Sequence, residues 1–263
     1  MDSLLQAILL GVIEGLTEFL PISSTGHLLI AQVWLERRSD LFNIAIQSGA
    51  ILAVTLVYRV RLVQLATQWR RDADVRDLLF KIITAFGITG ALGLIAKKLG
   101  VELPETVTPV AIALILGGLV IFAVEAWVKK QPVSTHIGWS VAIAVGIAQV
   151  VAGVFPGTSR SAAAIFAALL FGLRHRGSAA EFAFIVGIPT MFAATGYEFY
   201  KTAGDAQAWA AESFTELAAA FLVAAAVGFA AVKWLLRFIS GHSFVPFGWY
   251  RIALGLTLLA TVA

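Results

Sequence analysis

Two things are scarce in this 263-residue chain, cysteine and charge. It has no cysteine, so a disulfide framework, an iron–sulfur cluster and a cysteine nucleophile are all excluded. Charged residues make up only 13% of it, against about 25% in a soluble domain. Other polar residues do not replace the missing charge, since 59% of the chain is hydrophobic. Most of its surface must therefore face something apolar, and lipid is the candidate. The net charge of +3 is small and sits in short loops. With no basic stripe carrying interleaved aromatics, nucleic acid is not an expected partner. Met1-Asp2-Ser3 offers no basic leader, and Glu14 and Glu18 break the apolar run that follows, so the start does not read as a cleavable signal peptide.

Apolar segments separated by Pro, Gly or charge clusters fall at about 4–19, 22–35, 41–58, 77–96, 107–128, 138–154, 159–172, 178–200, 214–236 and 246–262. Spanning the hydrocarbon core takes about 20 residues. Those starting at 41, 77, 107, 178, 214 and 246 reach or approach that length. The other four are short and paired, each pair broken by a polar turn containing proline: Leu20-Pro21-Ile22-Ser23-Ser24-Thr25-Gly26-His27 and Phe155-Pro156-Gly157-Thr158-Ser159-Arg160-Ser161. Such pairs read as re-entrant hairpins, whose irregular backbone is tolerated at membrane depth only inside protein or beside a wet cavity. A shift of 135 residues lays Gly11 on Gly146, Glu14 on Gln149, Pro21 on Pro156, Ser23 on Thr158 and Ser24 on Ser159. The expected fold is all-α and polytopic, a single membrane domain over 1–263 with six spanning helices plus two re-entrant hairpins. Residues 1–130 and 131–263 would be hairpin-plus-three-span repeats.

Basic residues set the orientation. With loop 59–76 cytoplasmic, that side collects Arg59, Arg61, Arg70, Arg71, Arg76, Lys129, Lys130, Arg174, Arg176 and Arg237, and the outside keeps Arg37, Arg38, Lys97, Lys98 and Lys201. The excess inside favours this choice. Three spans per half make the repeats inverted, so the tips meet near mid-membrane from opposite sides. That is a transporter architecture, and the fold alone leaves function open.

The chemistry resides in the tips. Glu14 and Glu18 share one helix face, and no Lys or Arg at helical spacing neutralises them. Unpaired charge at that depth marks function: the pair would hold a divalent cation through oxygen ligands, or one carboxylate would serve as a base. The competing reading is two solvated glutamates near the surface. Ser24 reads as a nucleophile or phosphate ligand, with Glu18 or His27 to take its proton, and Ser23-Ser24-Thr25 alternatively as a helix N-cap. Arg160, after Pro156-Gly157 and with no acid in its own hairpin, presents a guanidinium fork suited to phosphate. Thr158, Ser159, Ser161 and backbone amides would assist it, and an ion pair to Glu14 or Glu18 is the competing role. Gln47 and Glu181 would line the cavity. His136, His175, His242, Glu125 and Glu198 read as solvated, Lys81, Lys233 and Arg237 as snorkelling cations, and Arg251 as structural with an unnamed partner.

At these residues a family resemblance enters. Gly11-Val-Ile-Glu14-Gly-Leu-Thr-Glu18-Phe-Leu-Pro21-Ile-Ser23-Ser24-Thr25-Gly26-His27 resembles the signature of the undecaprenyl-diphosphatase family linked to bacitracin resistance. Pro156-Gly-Thr-Ser-Arg160-Ser161, Ile46-Gln47-Ser-Gly-Ala, Ile188-Pro189-Thr-Met-Phe and Tyr250-Arg251-Ile-Ala-Leu-Gly255 resemble its other segments. The resemblance implies hydrolysis of undecaprenyl diphosphate to undecaprenyl phosphate, which recycles the carrier lipid for cell-wall synthesis. It implies Mg²⁺ or Ca²⁺ as cofactor and a bacterial inner-membrane location with the site open to the periplasmic side. Glu14, Glu18, Ser24, His27 and Arg160 would be the functional set. One departure stands out: the family's Ser-Gly-Ala-Thr continuation is here Ser161-Ala162-Ala163-Ala164. Partners would be the polyprenyl diphosphate and membrane lipids, and a homodimer is among the assemblies the reading allows. The rival functions are a secondary transporter or lipid-phosphate flippase, and a catalytically dead lipid-binding relative.

Overall fold

A computed structural model describes residues 2–35, 38–101, 106–205, 209 and 213–262. Arg37, weighed above for orientation, lies outside them. The helices are α1 (Ser3–Thr17), α2 (Ser24–Trp34), α3 (Asp40–Val57), α4 (Arg59–Gln68), α5 (Ala73–Lys98), α6 (Val107–Val128), α7 (Trp139–Val154), α8 (Arg160–Leu170), α9 (Arg176–Thr202), α10 (Phe214–Gly241) and α11 (Val245–Val262). Among the described residues there is no strand. Five helices among these residues, α3, α5, α6, α9 and α10, are long and apolar enough to cross a membrane, so the chain is a multi-pass membrane protein. The sixth expected span, α11, falls with α1, α7 and α8 among the shorter apolar helices.

Each expected apolar segment is a helix, one further helix is present, and α5 and α10 run past their expected bounds. Residues 59–68, read as loop because of Arg59 and Arg61, form the amphipathic α4, whose Leu62 and Leu65 pack into the core. α5 begins at Ala73 because the Asp72 carboxylate accepts from the backbone N–H groups of Asp74 and Val75, at 2.9 and 3.1 Å. That is an N-cap which hydrophobicity alone does not register.

Lipid tails are as apolar as leucine, so the helices associate through close backbone approach. A methyl on Gly11 or Gly15 would lie 2.7 Å from the carbonyl oxygen of Ala220 or Ala224, which fixes α1 against α10. Gly146 stands equally close to Ala85 of α5, and Thr89 Oγ1 donates to the Gly146 carbonyl at 3.0 Å.

Two charges expected at water are buried. Glu125 is 5% exposed. It accepts from Arg176 Nε at 2.9 Å and Nη2 at 2.5 Å, and from the Phe244 N–H at 2.9 Å. It is a junction between α6, α9 and the start of α11, not a solvated side chain. Lys81 does not snorkel. Its ammonium is buried, paired with Asp77 one turn earlier and set 5.6 Å from the Trp139 ring. Exposed His136, His175, His242, Lys233 and Arg237 match expectation. Glu198 keeps a half-exposed ion pair with Lys201.

Candidate active site

The connection between α1 and α2 and that between α7 and α8 are built alike. Each ends on a serine with left-handed backbone, Ser23 at φ 75° and Ser159 at φ 69°. Each serine hydroxyl then caps the following helix, accepting from Gly26 N–H or Ala162 N–H at 3.3 Å. Left-handed backbone at a residue other than glycine costs about 1–3 kcal/mol and persists only where the surroundings enforce it. Gly157, at φ 90°, supplies a further sharp turn in the second connection. The two serines are 136 positions apart. They are therefore one step out of the offset that pairs Gly11 with Gly146, and Ser24 and Arg160 occupy the first helical position after their respective tips.

Arg251 enforces that geometry. It is fully buried and donates to five carbonyls: Pro21 at 3.2 Å, Gly157 at 2.9 Å, Thr158 at 3.1 Å, Ala113 at 3.1 Å and Leu114 at 3.4 Å. One guanidinium thus ties both tips to α6. Its partners are main-chain dipoles, which answers the question the sequence left at this residue. A second tie runs directly between the tips, from Ser161 Oγ to the Leu20 carbonyl at 3.1 Å, with Ser159 Oγ 3.0 Å from Ser161 Oγ.

Between the tips is a polar chamber of about 70 Å³. Glu14, Glu18, Ser23, Ser24, Thr25 and Gln47 line it from the first half of the chain, and Gly157, Ser159 and Arg160 from the second. Ser24 Oγ donates to Glu18 Oε2 at 2.5 Å. Glu14 is 1% exposed, and neither carboxylate oxygen has a hydrogen-bond partner among the described residues. Arg160 faces these carboxylates, and among the described residues it makes no ion pair or hydrogen bond. The acid and the cation therefore share one cavity without neutralising each other, and an anion with a counter-cation would fit between them.

Glu14, Glu18 and Ser24 offer oxygen donors only, the preference of Mg²⁺ and Ca²⁺. Among the described residues no cluster of three or more acidic or imidazole groups could hold a metal. A cation here would complete its shell with ligand oxygens, as Mg²⁺ does when bound by one or two carboxylates plus phosphate.

Not every expected residue joins the chamber. His27 does not contact Ser24. Its Nδ1 lies 2.6 Å from the Ser23 carbonyl and must carry the proton there, which leaves Nε2 to accept from Tyr250 Oη at 2.7 Å. Thr158 contributes its carbonyl to Arg251. Ser161 borders a smaller void of about 20 Å³ shared with Glu18, Arg160 and Ala164. Glu181 borders a separate cavity, where Arg61 Nε lies 3.7 Å from its carboxylate.

Residues 7–257 match the family model described as "Bacitracin resistance protein BacA". The chain belongs to the BacA family. Relatives named undecaprenyl-diphosphatase from Rhizobium etli, Xylella fastidiosa and Xanthomonas campestris pv. campestris are 58%, 54% and 55% identical to it. The alignments cover 98% of this chain and 97% or 98% of each relative. In this BacA-family chain the sequence reading missed Tyr250 as the partner of His27. It also missed Gln149, buried at 3% exposure with both amide atoms unpartnered among the described residues. Its alignment with Glu14 was the available signal. Ala164, the family departure, is 2% exposed, so the missing hydroxyl leaves a methyl against the smaller void.

Proposed function

We propose that this protein hydrolyses undecaprenyl diphosphate to undecaprenyl phosphate and inorganic phosphate, recycling the lipid carrier for cell-wall synthesis. The observation that carries the reading is the shared chamber, with unpaired Arg160 facing Glu14, Glu18 and the Ser24–Glu18 hydrogen bond. The names of the full-length relatives point the same way. Arg160 binds the terminal phosphate and neutralises the charge that develops as the phosphoanhydride bond breaks. Either Ser24 attacks that phosphorus as Glu18 Oε2 takes its proton, undecaprenyl phosphate leaves and water then hydrolyses the phosphoserine to inorganic phosphate, or Ser24 orients a water that attacks directly and gives its proton to Glu18 Oε2. His27, held by Tyr250, orients the backbone at Ser23. Gln47, Thr25 and Ser159 hydrogen-bond phosphate oxygens. A Mg²⁺ or Ca²⁺ held by Glu14 and Glu18 supplies Lewis acidity and charge neutralisation.

The same reading makes α1–α2 and α7–α8 re-entrant hairpins of an inverted repeat, 1–130 and 131–263, in the bacterial inner membrane. The excess of basic residues on the α4 side makes that side cytoplasmic. The family resemblance implies that the chamber opens to the periplasm, and a homodimer is compatible with the arrangement.

Purified protein in detergent, with no gradient, is expected to release phosphate from undecaprenyl diphosphate, to stop in EDTA and to recover with added Mg²⁺ or Ca²⁺. Absence of turnover under these conditions would favour a transporter or a dead relative. Turnover indifferent to EDTA would remove the cation.

A further inference from the structure

We propose that the groove between α5, α7 and α9 holds the phosphate-proximal isoprene units of the substrate's prenyl chain. The inference rests on the phosphatase reading and adds the path of the tail.

A diphosphate seated at Arg160 must pass its chain out through one wall, and two sides are closed by backbone contact. On the α6 side a methyl on Gly157 would lie 2.8 Å from the Val110 carbonyl oxygen. On the α10 side Gly11 and Gly15 touch carbonyls. The α5/α7/α9 side is open, with a groove of about 300 Å³ whose wall includes Gly93, Ala96, Gly153, Val154 and Ala194. A methyl added at Gly93 or Gly153 would meet nothing within 4 Å.

The groove is continuous with the chamber, because Arg160 borders both. Gln149 borders the groove beside it and also the small void shared with Glu18. Thr89, Thr190 and Lys97, the wall's other polar residues, are satisfied by the Gly146 and Val186 carbonyls and by Tyr197 Oη, whereas the buried Gln149 amide is unpartnered among the described residues and calls for a hydrogen-bonding ligand. Walls mostly of small and apolar residues, with that amide and Arg160 where the groove meets the chamber, match an amphipathic ligand whose phosphate ester meets Gln149 and whose chain runs outward. Branched isoprene units need the width that glycines provide, and the rest of the chain lies in lipid.

The test uses Gly153→Leu and Gly93→Leu, which narrow the groove from two different helices. Gly87→Leu, on α5 with equally open surroundings but outside the groove, is the control. Phosphate release is measured with the C55 diphosphate and with a C5 prenyl diphosphate, which carries only the first of those units, alongside thermal melts in detergent. Losing burial of even two methylenes weakens binding about tenfold. Each groove variant is therefore expected to shift the KM ratio about tenfold or more in favour of the short chain. Continued turnover of the C5 compound reports an intact head-group site. Gly87→Leu is expected to keep the wild-type ratio. If the wild type releases phosphate from neither compound, the phosphatase reading fails. If it is active and the ratio stays at the wild-type value in both variants, because the two KM values move together or not at all, the chain lies elsewhere and the groove proposal is overturned. A variant that melts early is replaced by its Gly→Ala counterpart, for which a smaller shift in the same direction is required.

Discussion

Arg160→Ala is expected to lower kcat/KM for undecaprenyl diphosphate about a hundred- to thousand-fold, the loss typical when one preorganised charge-stabilising group is removed. The melting temperature is expected to move by no more than about 2 °C, because substitutions that break no buried interaction change stability little. The two expectations belong together. Among the described residues Arg160 holds no ion pair or hydrogen bond, so its removal breaks no contact and only withdraws a favourable charge from beside the buried Glu14. Its main effect should fall on an anion in the chamber. Arg160→Lys restores the charge without the two-pronged geometry that matches phosphate, and is expected to recover part of the loss. A large stability change in Arg160→Ala, or unaltered kinetics, would show that this guanidinium serves the scaffold. Phosphate release and a melt in the same detergent check both.

Arg251 is the opposite case. Arg251→Leu deprives five carbonyls in α6 and both tips of their donor. Buried acceptors left without a partner each cost about 1–3 kcal/mol. Losing the desolvation cost of the guanidinium itself offsets part of that, so the net destabilisation is expected at about 3–5 kcal/mol. That corresponds to a fall in melting temperature on the order of 10 °C. Activity should fall with it, because the left-handed serines that aim Ser24 and Arg160 have lost the tie that enforces them. Arg251→Lys keeps a charge but cannot reach carbonyls on three segments at once, and is expected to lie between. Gly117→Ala attacks the same clamp from outside, since a methyl there would sit 2.6 Å from Arg251 Cζ. A wild-type melt for Arg251→Leu would contradict the clamp.

The contrast between these two arginines shows what the sequence makes legible. Arg160 stands out because its neighbours are polar, turn-forming and repeated in the first tip, so its surroundings can be read locally. Arg251 sits in an ordinary amphipathic-looking stretch, and its partners are carbonyls, which every residue possesses and no sequence pattern marks. Glu125 was misplaced for a similar reason. Its partner Arg176 is 51 residues away, and nothing near Glu125 in sequence distinguishes a buried ion-paired carboxylate from a solvated one. The helices were easy where apolar runs are long and bounded by Pro or charge. α4 was missed because an amphipathic helix rich in arginine has the composition of a loop, and its signal is the spacing of Leu62 and Leu65 rather than mean apolarity. The chamber lining was legible for Glu14, Glu18, Ser24, Gln47 and Arg160, since burying such groups in an apolar chain requires a common polar site. The orientation of His27 toward Tyr250 was not, because it depends on how α11 crosses α2.

The account turns on whether one phosphate is gripped from both tips at once, and a double-mutant cycle on kcat/KM measures that directly. Glu18→Gln and Arg160→Lys are compared singly and together with undecaprenyl diphosphate as substrate. Groups acting on the same reacting phosphate are strongly non-additive, so the double variant is expected to be little worse than the weaker single one. If the separate losses multiplied in the double variant, the acidic and cationic tips would be working independently, contradicting the shared site.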